Sequence, residues 1–178
     1  MVPIHIIDKY YLAGSELHKI LLAHSFSVAD KALEIAQRHP ELEIDTHFVY
    51  EASLLHDIGI YLTNAPKIYC FGEYPYICHG FLGAEIMRRE GLEKHALVCE
   101  RHTGSGLSKE YIIQEAIPIP QRDMLPESVE EKLVCFADKF FSKSRIEEVK
   151  TIDQVRKSLS QYGVDTLQRF EDMVKLFL

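Results

Sequence analysis

Residues Glu51 to Leu62 read EASLLHDIGIYL, an apolar run that His56 and Asp57 interrupt side by side. Leu54, Leu55, Ile58 and Ile60 are residues of a protein interior. A carboxylate buried among them without a partner is costly enough to be rare. The stretch therefore demands a source of positive charge inside the fold.

Periodicity around this stretch is helical, and almost none of the chain alternates as a strand does. The pattern predicts a long helix from Ser15 to Arg38, stopped by Pro40, and a second one capped by Asp45 and running to about Asp57 before Gly59. Further helices are expected over Ile77–Arg89, ended by Gly91, and over Glu93–His102. Ser128 followed by Glu131 reads as a capping box that opens a helix through Phe141. A last helical region is expected from Ile146, broken at Gly163 and restarted at Asp165 with Gln168 as its capping partner. The loops Thr63–Tyr76 and Thr103–Pro126 keep apolar residues throughout, so neither reads as a linker; the second holds one short helix, Lys109–Ala116. The expectation is an all-α, single-domain helical bundle over 1–178.

On these helices the polar residues sort by face. His24 shares a face with Leu21 and Val28, His56 with Ala52, His79 with Leu82 and Ile86, and His102 with Val98. Asp138 lies with Val134 and Phe141. All five sit on inward stripes. A lone core histidine usually hydrogen-bonds a carbonyl, but five such residues on five helices would each need a separate partner. One or two shared divalent cations satisfy them together, since His and Asp supply the nitrogen and oxygen ligands of iron, manganese and zinc. Adjacent helical residues diverge by about 100°, so His56 can ligate one ion while Asp57 bridges to a second. His95, seven residues before His102, shares nearly the same face, and periodicity leaves the choice between them open. His18 and His47 point away from the ligand faces; His5 and His39 lie outside such a set.

Composition narrows the function. With 178 residues the chain is long enough to bury roughly 70% of its unfolded surface in one core. A net charge of −7 argues against nucleic-acid and anionic-membrane partners, without excluding a phosphorylated substrate held through metal. No apolar run approaches a membrane span, and MVPIHIIDKYY lacks the basic flank and cleavage site of a signal peptide. Cys70, Cys78, Cys99 and Cys135 form no CxxC pair, so ordinary reduced thiols and a cytoplasmic location are expected. The sequence neither requires nor excludes a homo-oligomer.

These residues, in this order, resemble the HD-domain, HDIG-type metal-dependent phosphohydrolase superfamily: a histidine (His24 in AHSFSVADKALEIA), a His-Asp pair (His56 and Asp57 in LLHDIGI) and a distant aspartate (Asp138 in LVCFADKFF). His79 in CHGFLGAEI and His102 in ERHTGSGLS match the two additional histidines of dinuclear members. The resemblance covers about 15–144, leaving 146–178 as a helical extension, and looks most like bacterial and archaeal HDIG proteins, among them iron-dependent diadenosine-tetraphosphate hydrolases.

The resemblance implies hydrolysis of a phosphoester or phosphoanhydride of a nucleotide or other small phosphorylated metabolite. His24, His56, Asp57 and Asp138 would hold one ion, and Asp57, His79 and His102 the other, with a water activated between them. Asp57 and Asp138 would be the catalytic carboxylates, Asp138 orienting the nucleophile. Iron or manganese is favoured by a thiolate-free ligand set, with zinc, nickel or magnesium as alternatives. Lys139, Thr103 and Arg122 are the candidate substrate contacts; Tyr69, Phe71, Tyr74 and Tyr76 offer faces for a base or fold back on the bundle. Three departures bear on substrate. Ile60 stands where many HDIG proteins carry a lysine or arginine, Gly104-Ser105-Gly106 lacks the arginine of the diadenosine-tetraphosphate group, and there is no GYP signature. Two other functions fit the same ligands: an HD-fold di-iron oxygenase, and a non-catalytic metal- or nucleotide-binding regulatory domain.

Overall fold

A computed structural model describes residues 2–146 and 148–178. Its helices are α1 (Val2–Tyr10), α2 (Glu16–Arg38), α3 (Thr46–Leu55), α4 (His79–Arg89), α5 (Glu93–Arg101), α6 (Lys109–Gln114), α7 (Val129–Asp138), α8 (Ile152–Leu159) and α9 (Val164–Phe177). A two-residue hairpin, β1 (Asn64–Ala65) against β2 (Cys70–Phe71), interrupts the loop before α4. The fold is all-α apart from that hairpin. No helix among the described residues is long and apolar enough to cross a membrane.

Capping residues set the helix starts. Ser15 accepts from the His18 amide, Asp45 from Phe48, and Ser128 from Glu131, each satisfying an amide that has no intrahelical partner. The capping box expected at Ser128 is only half formed, because the Glu131 carboxylate bonds the Glu127 amide and Arg101 instead. The complete box is at Thr151 and Gln154. Gln168 pairs with Asp172, and the last helix starts after Gly163 without a side-chain cap.

Two helix lengths differ from expectation, and both differences shape the site. Helix α7 stops at Asp138 rather than Phe141, since the Phe140 carbonyl accepts from the Lys150 amide at 2.8 Å and draws the chain out of helical register. The segment from Phe141 to Lys150 is non-helical where described, so the last region opens at Ile152 rather than Ile146; Glu147 lies outside the described residues. Helix α3 likewise ends at Leu55, leaving His56 and Asp57 on the turn that follows.

Two apolar clusters flank this turn. One joins α2, α3, α7, α8 and α9 through Val28, Leu133, Phe136, Phe170 and Phe177, with Phe136 stacked on Phe170 at 5.4 Å between ring centroids. The other joins α1, α2, α4 and α5 through Ile7, Leu21, Ile58, Ile60 and Met87. Ile60 is fully buried there. The polar turn between the clusters is held by apolar packing on both sides.

Candidate metal centre

The ligand residues lie at helix ends more than along stripes. His56 follows the last turn of α3, His102 that of α5, and Asp138 is the last residue of α7. His79 opens α4, and His24 alone is mid-helix. Three helix C-termini thus face one point, and their partial negative charge favours a cation there. Backbone contact sets the spacing of the two halves. A Cβ on Gly59 would run into the His79 carbonyl and the Gly83 amide, so the turn carrying Asp57 lies directly against α4.

Asp57 is fully buried at the centre. Its Oδ2 lies 3.1 Å from His24 Nε2 and 3.0 Å from His56 Nε2; its Oδ1 lies 3.3 Å from His79 Nε2 and 3.5 Å from His102 Nε2. Asp138 Oδ1 completes the first group, 2.9 Å from His24 Nε2 and 3.5 Å from His56 Nε2. Ligand atoms of His24, His56, Asp57 and Asp138 lie within 4.8 Å of one another, as do those of Asp57, His79 and His102. Asp57 belongs to both groups, as its bridging position in the sequence pattern predicts.

Whether a metal suits this arrangement is decided by where the lone pairs point. His56, His79 and His102 each place Nδ1 at 2.7 Å from the carbonyl three residues earlier, of Ser53, Tyr76 and Cys99. That bond makes Nδ1 the donor and leaves Nε2 as a lone pair in the neutral ring. Both carboxylate oxygens of Asp57 and the Nε2 atoms of His24 and His56 are buried with no hydrogen-bond partner despite their proximity. These atoms converge on one buried space, and once the His56 proton leaves they are all nitrogen and oxygen acceptors, a donor set that fits a cation. The donors are nitrogen and oxygen only: the nearby Cys99 and Cys135 thiols turn to the Leu55 and His102 carbonyls.

Lysines neutralise the acidic centre. Lys139 Nζ bonds Asp138 Oδ2 at 2.7 Å and the His102 carbonyl at 3.0 Å. Lys143 Nζ lies 2.6 Å from Asp57 Oδ2. Burial alone would raise the Asp57 carboxyl, but His56 and Lys143 outweigh it and hold it well below the usual range; Lys139 and Lys143 do the same for Asp138. Burial pushes the His56 imidazole down, yet Asp57 and Asp138 raise it to about 9. At His79 burial wins, and the ring falls to about 3.

Beside the centre lies a cavity of about 340 Å³, lined by His79, His102 and Asp138 on one side and by residues of α8 and α9 on the other. Lys139 and Thr103 both line it. Arg122, expected as a substrate contact or a partner of Asp123, is neither. It forks onto the buried Glu100 (Nη2 to Oε2, 3.0 Å), which also holds Arg88, while Asp123 caps the Lys109 amide. Burying Glu100 leaves it dependent on both guanidinium groups.

Of the loop aromatics only Tyr76 reaches the cavity, stacked on His79 at 4.7 Å; Tyr69, Phe71 and Tyr74 are exposed elsewhere. His95 turns instead to Phe48 and Glu51, which resolves its competition with His102. His18 faces Asp8, His39 faces Glu41, and His47 is exposed. Lys143 and Lys150 also line the cavity; sequence reasoning reads Lys143, near the motif, as a solvated surface charge and gives Lys150 no role. They lie in the non-helical segment after α7, where no periodicity assigns a face.

The family model "HD domain" matches residues 21–142. An uncharacterized protein of Methanocaldococcus jannaschii, MJ0778, is 36% identical over 145 residues, covering 79% of this chain and 78% of that protein. The tRNA (cytidine(56)-2'-O)-methyltransferases of Picrophilus torridus and Thermoplasma volcanium are 31% and 30% identical over 79% and 85% of this chain. The chain spans only 37% and 40% of their lengths. The crystal structure of the L. monocytogenes phosphodiesterase PgpH HD domain shares the fold, with a TM-score of 0.53, 12% identity and 94% of each chain covered. The chain belongs to the HD domain family.

Proposed function

We propose that this protein is a metal-dependent phosphohydrolase acting on a small phosphorylated metabolite, a nucleotide among the candidates. The observation that carries the reading is the convergence of unpaired His Nε2 and Asp57 oxygens beside a lysine-rimmed cavity. Divalent ions bound by His24, His56, Asp57 and Asp138, and by Asp57, His79 and His102, would supply an activated water and neutralise charge on phosphoryl oxygens. Iron or manganese suits a nitrogen and oxygen donor set from which the thiols turn away.

The chain's own groups complete the site. Asp138 keeps Oδ1 toward the ligands and Oδ2 on Lys139, which fixes the carboxylate for orienting a nucleophile. Lys139 and Thr103 lie where a phosphate in the cavity would meet them. Lysines at this rim favour a phosphate ester over the uncharged diols of an oxygenase. The phosphodiesterase title of the structural neighbour agrees with this reading. The methyltransferase relatives suggest no activity for this chain, which spans well under half of each.

We further read 1–178 as one unit, since α9 packs Phe170 and Phe177 onto α7, and as a cytoplasmic protein without a nucleic-acid or membrane partner. The test is a panel of nucleotides, sugar phosphates and p-nitrophenyl phosphate with Mn²⁺ or Fe²⁺ added. Release of inorganic phosphate from some member supports the function. A metal-replete protein inert toward every member, or one that consumes O₂ with diols, overturns it.

A further inference from the structure

Lys139 and Lys143 both neutralise the centre but are held differently. The Lys139 ammonium makes two hydrogen bonds, to Asp138 and to the His102 carbonyl. Lys143 meets Asp57 Oδ2 at 2.6 Å as an ion pair. Its ammonium also lies 6.0 Å from the Tyr76 ring centroid, with Asp138 contributing to its electrostatic surroundings. Lys143 stands on a turn, lines the cavity, and occupies the same carboxylate oxygen that His24 and His56 share. A divalent ion ligated by that oxygen and an ammonium at 2.6 Å from it would be like charges competing for one position, and such crowding is strongly unfavourable at low dielectric.

Displaced from Asp57, the Lys143 side chain has the cavity beside it. Lys150 lines the same cavity, half-buried, and among the described residues no carboxylate lies within ion-pair distance of it. Both lysines follow residue 142, where the family match ends. The far wall, with Ser158, Tyr162 and Thr166, comes from the same C-terminal segment.

Resting on the phosphohydrolase reading, we propose that Lys143 and Lys150 form the substrate-phosphate subsite, Lys143 exchanging Asp57 for a phosphate oxygen when metal occupies the centre. In the metal-free protein Lys143 serves as the counter-ion of Asp57. In the loaded protein it is a specificity-determining contact for the substrate's phosphate group. A cavity of about 340 Å³ lies at the small end of the range for small-molecule sites, which fits a small phosphorylated metabolite.

The experiment compares wild type with Lys143→Met, Lys143→Arg and Lys150→Met by calorimetry. Inorganic phosphate is titrated into Mn²⁺-loaded protein, and Mn²⁺ into metal-free protein. Loss of a charge-assisted hydrogen bond should weaken phosphate binding about tenfold or more in Lys143→Met and several-fold in Lys150→Met. Lys143→Arg should retain most of it. Mn²⁺ affinity should be equal or tighter in Lys143→Met, because a competitor for Asp57 has gone. Melting curves in Mn²⁺ establish that each variant is folded, and Lys143→Arg carries the test if Lys143→Met is not: untightened phosphate loss in an Arg variant beyond tenfold counts against an exchangeable cation. Wild-type-like phosphate binding in Lys143→Met, or a parallel loss of Mn²⁺ affinity, overturns the proposal while leaving hydrolysis by the wild type intact. A wild type that takes up Mn²⁺ but neither binds phosphate nor hydrolyses p-nitrophenyl phosphate overturns the phosphohydrolase reading itself.

Discussion

His79 and His102 place their Nε2 atoms 3.0 Å apart while each ring holds a backbone carbonyl through Nδ1. Two neutral rings so anchored present lone pair to lone pair, an arrangement that a shared cation relieves. Protein purified without chelators should therefore contain close to two transition-metal ions per chain by elemental analysis. Asp57→Ala removes the oxygens common to both ligand groups and should lose both ions together with hydrolysis. His47→Ala, at an exposed ring outside the centre, should lose neither. Equal metal content in the two variants would contradict the assignment.

Proton release should accompany metal uptake. Burial works against charge on His56, but Asp57 and Asp138 hold it at about 9 in the metal-free protein, so its Nε2 is protonated at neutral pH. Ligation requires that lone pair. Apparent Mn²⁺ affinity should fall as pH drops below about 9, and calorimetry in buffers of different ionisation enthalpy should register released protons. The sign for folding is opposite: a histidine raised on folding stabilises the metal-free protein fully below its unfolded value of about 6.5, and that stability is lost as pH rises through about 9. A heat of binding that does not vary with buffer ionisation enthalpy would refute the first statement, and metal-free stability that does not fall between about pH 6.5 and 9 in chemical denaturation would refute the second.

Arg122→Ala should destabilise without touching substrate. Glu100 is buried and would keep Arg88 alone. Arg122 is half exposed, so solvent screening reduces the loss from that of a fully buried pair to about 1–2 kcal/mol. Chemical denaturation measures this, and kcat/KM on any substrate found should stay within error of wild type. A raised KM at unchanged stability would return Arg122 to the site.

Arg169 ties α9 to the turn after His102, donating to the Ser105 and Gly106 carbonyls at 2.9 and 3.1 Å. Arg169→Ala should cost about 1–2 kcal/mol for the lost bonds and speed amide exchange over 103–107. Unchanged exchange there would mean the turn is held by its own backbone.

Much of this arrangement was legible from sequence because caps and faces are local properties. Ser15, Asp45 and Ser128 mark helix starts by chemistry that needs no tertiary partner. His24, His56, Asp57, His79, His102 and Asp138 occur in an order that a shared centre explains. Helix α1 escaped because its Ile-rich turns carry no capping signal and depend on packing against the cluster around Leu21 and Ile58. Lys143 reads as a solvated surface charge because a turn has no periodic face, and only the path set by the Lys150–Phe140 hydrogen bond brings it to Asp57. Arg122 was misread because its partner, Glu100, is distant in sequence and buried.

The contact of Gly59 with α4 makes the separation of the two ligand groups a gauge cut into the main chain. Repacking core side chains can loosen or tighten the helices, but it cannot lengthen that gauge by small steps, because any atom added at Gly59 strikes the His79 carbonyl and the Gly83 amide. The span of the centre is kept whole or lost. Adaptation to a new substrate must then come from the lysines and the far wall supplied after residue 142, and variation in chains built on this plan should concentrate there.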